Sequence, residues 1–147
     1  MELDAPMAQI MRGILMVGAT GVIQVVAQLA LSHMMDILPS PPESRYPTFY
    51  MLTHSVTAVM ILLVGHVLQV VMWAVLYFYD WGAFATFSTA IYFSLASFTT
   101  LGASELALPV QHRMIGAFES AAGMMMFGWS TALLVAVVVR TDRRARP

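Results

Sequence analysis

Ser97-Phe98-Thr99-Thr100-Leu101-Gly102-Ala103-Ser104-Glu105 closes the third of four charge-free runs in this chain. The run starts at Trp81, and its first part, Ala83 to Phe98, is apolar and aromatic. Its end is small, polar and β-branched. Such residues make a poor lipid-facing helix end. Non-helical backbone at membrane depth survives only inside protein or beside water. The run is therefore read as a short helix that enters and returns, rather than as a crossing.

The rest of the sequence supports a membrane setting. Of 147 residues, 59% are hydrophobic and 10% are charged, against about a quarter charged in soluble domains. Mean hydropathy is +0.76. The other charge-free runs are Gly13 to Ser32, Tyr46 to Tyr79 and Ser120 to Val139. Each reaches the roughly 20 residues a bilayer-crossing helix needs. The first run is flanked by Glu2, Asp4 and Arg12 and is longer than a signal-peptide core, so a retained helix is expected. Seven Arg, no Lys and eight acidic residues leave no basic face for nucleic acid. The absence of Cys excludes disulfides and thiolate chemistry.

Charge bias orients the chain. With three spans and a returning segment, Arg45, Arg140, Arg143, Arg144 and Arg146 are cytoplasmic, while Arg12 and Arg113 are outside. With four spans, Arg12 and Arg45 exchange sides and the balance is the same. The rule thus makes the C-terminus cytoplasmic without counting the spans. A multi-pass protein of a bacterial-type plasma membrane is expected.

Residues 81–140 resemble the pore module of the two-transmembrane potassium channel family. Tyr77-Phe78-Tyr79-Asp80-Trp81 is followed by Ala90-Ile91-Tyr92-Phe93-Ser94-Leu95-Ala96-Ser97-Phe98. Then Thr99-Thr100-Leu101-Gly102-Ala103-Ser104-Glu105-Leu106 looks like the family's T-T-V-G-Y-G-D-L, with Pro109 and Arg113 beyond it. Glu119 and Gly123 fall where the inner helix carries its glycine. The resemblance implies an all-α membrane protein with three transmembrane helices, a re-entrant pore helix and a filter loop. Residues 1–45 would add a helix and a cytoplasmic loop. Residues 46–140 would be the pore module, with outer helix 48–79, pore helix 86–98, filter 99–105 and inner helix 114–140. Residues 141–147 would be a basic tail.

In that family, carbonyl rings from four chains replace a cation's water shell. The resemblance therefore implies a homotetramer in a lipid bilayer. Thr100, Leu101, Gly102, Ala103 and Ser104 would coordinate the permeant potassium or other monovalent cation. Glu105 would form an acidic outer mouth, and Thr99 and Glu119 would support the filter. Ala103 stands where the family has a bracing Tyr, and Ser104 where it has a second Gly. A non-Gly residue at positive φ costs roughly 1–2 kcal/mol. The inner cation sites are thus expected to survive and the outer ones to be altered. The expected function is a weakly selective passive cation channel with no catalytic residues or cofactor. Two alternatives stay open: a non-conducting, channel-like subunit that associates with another membrane protein, and a four-span scaffold without a filter.

Other residues have plainer readings. A lipid-facing Glu119 costs on the order of 3 kcal/mol, so it should meet protein, with Ser94, Ser97 or Thr99 as candidate partners. Filter support, proton sensing and a simple helix–helix hydrogen bond all fit it. Gly123 reads as a gating hinge or as a small-residue helix contact. Met124, Met125 and Met126 point in different directions and read as core filling. His54 and His66 lie about 120° apart on a helix, which argues against a shared metal. His66 has Gln69 one turn away, for a polar contact with another helix. Thr20, Gln24 and Gln28 share a face that should meet protein.

Overall fold

The computed structural model describes residues 4–37, 47–80, 82–103 and 105–145. All regular structure among them is helical: α1 (Asp4–Ile37), α2 (Pro47–Val75), α3 (Phe87–Phe98) and α4 (Arg113–Ala145). A π-helical turn, Leu76–Asp80, extends α2, and a 3-10 turn, Val110–His112, leads into α4. Three helices are long and apolar enough to cross a membrane: Pro6–Ile37, Thr48–Asp80 and Val110–Arg143. At 12 residues, α3 is about 18 Å long and too short to cross a hydrocarbon core of about 30 Å.

The helix boundaries follow local chemistry. Thr86 caps α3 by accepting from the Thr89 amide at 3.2 Å. At the other end, the amides of Thr99 and Thr100 fold back onto Leu95 and Ser97, and Gly102 reaches Ala96 at 3.1 Å. No Gly or Pro lies between Arg140 and Ala145, and α4 runs on to Ala145. The expected tail at 141–147 is thus helical over most of its length, with residues 146 and 147 outside the described residues. The expected cytoplasmic loop at 38–46 also lies outside them.

α1 and α4 run parallel, paired by Gln9 with Met114, Gln24 with Ser130 and Asp36 with Arg140. α2 runs antiparallel to both, with Gln69 against Gln24 and Tyr77 against Glu119. The main core gathers Trp73, Tyr77, Phe84, Phe93, Leu108 and Ile115. In it, the Tyr77 ring meets Phe93 edge-on at 5.3 Å and Phe84 at 6.3 Å. The start of α3 and the segment entering α4 therefore sit beside the same end of α2. A second core, with Leu31, Met35, Leu62 and Val137, lies at the other end.

Candidate functional site

The last turn of α3 lies deep along the long helices. The Phe98 ring is 6.0 Å from His66, near the middle of Thr48–Asp80. The Phe98 backbone meets α4 at Gly123, roughly 20 Å along the helix from Val110. A Cβ on Gly123 would stand 1.8 Å from the Phe98 carbonyl oxygen, so close approach requires glycine there. This packing reason is independent of a hinge, and α4 continues as helix through the position.

The chain leaves α3 at that depth as non-helical backbone. Thr99, Thr100, Leu101 and Gly102 are exposed on this chain, with Leu101 at 78%. Thr100 has φ +59 and Gly102 φ +77. The sequence placed the backbone strain in the upper half of the loop, at Ser104, which lies outside the described residues. Among the described residues, the non-glycine residue at positive φ is the β-branched Thr100, at the start of the loop. Ala103 is half-buried against the main core. Thr99 donates to the Leu95 carbonyl at 2.7 Å, so its hydroxyl caps its own helix. A cavity of about 350 Å³ beside the loop is lined by Ser97, Thr100, Gly102, Leu108, Arg113 and Ser120, among others. Ser120 donates to the Ser97 carbonyl at 2.8 Å and ties α4 to the last turn of α3. Glu105 hydrogen-bonds the Tyr92 phenol, and that bond and its charge raise the phenol's pKa above the ordinary 10.0.

Glu119 is fully buried behind α3. Its Oε1 lies 2.5 Å from the Ser94 hydroxyl, and its Oε2 accepts from Tyr77 at 2.6 Å. Of the three partners expected, only Ser94 reaches it. Tyr77 escaped the sequence reading because it sits 42 residues away on another helix. The aromatic run at 77–81 is visible in the sequence, but nothing in it shows which ring turns inward.

A second polar cluster joins α1, α2 and α4. His66 Nδ1 lies 3.2 Å from Gln69 Oε1, and Gln69 Nε2 donates to Gln24 Oε1 at 3.1 Å. Gln24 Nε2 donates to Ser130 at 2.9 Å, and Ser130 lies 3.0 Å from His66 Nε2. The four side chains close a ring. Beside it, Trp73 donates to the Thr20 hydroxyl at 3.0 Å. Gln28 turns instead to Trp129 at 3.0 Å. Met126 is buried and Met124 and Met125 are exposed, so the methionines divide between faces. Among the described residues, no group of three His, Cys, Asp or Glu side chains is placed to hold a metal ion. No family model, curated protein or solved structure matches the chain.

Proposed function

We propose that this chain is the subunit of a passive, weakly selective cation pore, with four copies around one axis. The observation that carries the reading is the exposed, non-helical segment 99–102 at mid-depth of a bundle of membrane-length helices. Backbone amides and carbonyls cannot face lipid. They must face other protein or a water-filled path, and a fourfold ring supplies both. In this reading α3 is a re-entrant pore helix. Its C-terminal end carries the negative end of the helix dipole and favours a cation there. The carbonyls of Thr100, Leu101, Gly102 and Ala103 take over part of the ion's water shell. Glu105 supplies the acidic outer mouth, and the arginine-rich end of α4 is cytoplasmic.

Ala103 favours a second reading. Its methyl group sits against the core with no hydroxyl to brace the loop, which fits a pore-like subunit that does not conduct and packs against another membrane protein. Purified chain in liposomes separates the two. The pore reading expects potassium and sodium flux from a species that native mass spectrometry shows as a tetramer. A stable monomer or dimer without flux overturns it. Intact tetramers without flux at any pH or voltage favour the second reading. The double change Ala103→Tyr and Ser104→Gly is expected to raise potassium over sodium selectivity, and unchanged selectivity would show that the filter register is wrong.

A further inference from the structure

We propose that Glu119 is held as a neutral carboxylic acid whose proton closes a clasp joining α2, α3 and α4. Three oxygen pairs are in hydrogen-bond contact. Tyr77 Oη lies 2.6 Å from Glu119 Oε2, Ser94 Oγ lies 2.5 Å from Glu119 Oε1, and the same Ser94 Oγ lies 2.9 Å from the Val70 carbonyl oxygen. Each contact needs one hydrogen between its oxygens. A tyrosine and a serine hydroxyl bring one each, and a carbonyl brings none.

The Tyr77 hydrogen is committed to Oε2, so Ser94 has one hydrogen for two acceptors. Were Glu119 ionised, that one hydrogen would have to be divided between acceptors at 2.5 and 2.9 Å, a weaker three-centre arrangement. With a proton on Oε1 every contact is filled. Glu119 donates to Ser94, Ser94 donates to Val70, and Tyr77 donates to Oε2.

The surroundings agree. Glu119 has 0% exposure, and a buried carboxylate is tolerated only when paired with a cation. From α2 the titratable group facing it is Tyr77, and from α3 the contact is the non-titratable Ser94. α1 brings apolar Met16 and Val17 to this core, and α4 itself brings Ile115, Phe118 and Ala122. Among the described residues no Arg or His is paired with Glu119.

Loss of the proton turns the Ser94 hydroxyl to the carboxylate and gives up Val70, which loosens α3 from α2. Glu119 is thus a positioning residue for the helix that carries segment 99–103. Its protonation state stands apart from conduction, and only its effect on flux rests on the pore reading.

Infrared spectroscopy of the full chain in liposomes tests this. The carbonyl band of a protonated carboxyl is expected at neutral pH in the wild type and is lost in Glu119→Gln. Its absence at neutral pH overturns the proposal. Gln supplies an N–H donor on the Ser94 side and a carbonyl acceptor on the Tyr77 side, as the acid does, with one further N–H. Glu119→Gln should therefore keep the wild-type Tm and flatten its pH dependence, while the wild type loses Tm as pH rises and the band fades. Glu119→Gln melting as low as Glu119→Ala also overturns it.

Should Glu119→Gln fail to fold, Ser94→Ala decides. The band then moves to higher frequency as its hydrogen bond is lost, and an unmoved band refutes the clasp. Flux that responds to alkaline pH in the wild type but not in Glu119→Gln supports the coupling to α3. Lack of any flux counts against the pore alone.

Discussion

Two polar clusters hold this bundle together, and they differ in how their hydrogens add up. The ring of His66, Gln69, Gln24 and Ser130 closes on neutral side chains. His66 donates from Nδ1 to Gln69, Gln69 to Gln24, Gln24 to Ser130, and Ser130 back to His66 Nε2. The network assigns the Nδ1–H tautomer and calls for no further proton. The Glu119 cluster has three contacts and two hydroxyl hydrogens. One cluster is therefore complete on neutral side chains alone, whereas the other depends on an acid keeping its proton. The ring fastens α1 to α2 and α4. The acid fastens α3, which carries the candidate loop. The tie that needs an acid's proton is thus on the short helix, and the tie that needs none joins the long helices.

The largest expected effect comes from emptying the acid site. Glu119→Ala leaves two buried hydroxyls without their partner and opens a cavity, for a loss of about 3–5 kcal/mol, read as a collapse of Tm in detergent. Glu119→Gln retaining most of that stability would sharpen the contrast with the ring. Next is Gly123→Ala, whose added Cβ would stand 1.8 Å from the Phe98 carbonyl oxygen. Overpacking of this kind costs about 1–3 kcal/mol, and the helices must part. Thermal unfolding measures it, and a neutral outcome would mean that α3 is not seated on α4 as described.

The ring should respond less. Gln69→Leu removes its links to His66 and Gln24, and interhelical hydrogen bonds in membranes average about 0.6 kcal/mol each, so a loss of about 1–2 kcal/mol is expected. The loss should be the same at neutral and alkaline pH. A loss that grows at alkaline pH would break the comparison. Nitrogen NMR of His66 should show the Nδ1–H tautomer at neutral pH, and the Nε2–H form would reverse the ring. The smallest effect belongs to Asp36→Asn. The Asp36–Arg140 pair is 2.7 Å long but 65% and 43% exposed, so its loss should cost under about 1 kcal/mol and shrink further in salt.

Much of the architecture was readable from residue order. Three helices long and apolar enough to cross a membrane fall on the charge-free runs 13–32, 46–79 and 120–139, because transfer of a helix into lipid is close to a sum over its own residues. The short α3 was legible for the same reason. Its polar end at Thr99 and Thr100 breaks the apolar sum. Burial of Glu119 was also foreseeable, since a lone carboxyl cannot face hydrocarbon.

Its partner Tyr77 was not foreseeable, nor was the arrangement that makes Ser94 share one hydrogen between Val70 and Glu119. Gly123 is ambiguous in the sequence. It becomes a contact residue only once the Phe98 carbonyl is brought against it. The ring of four side chains spans residues 24 to 130, and no local spacing announces it. Positive φ at Thr100 goes with amides that fold back onto the end of α3. Hydrophobic length and charge are local sums that a chain carries with it. Hydrogen-bond partners and close backbone contacts arise where helices far apart in sequence meet in one register, so tertiary packing alone decides them.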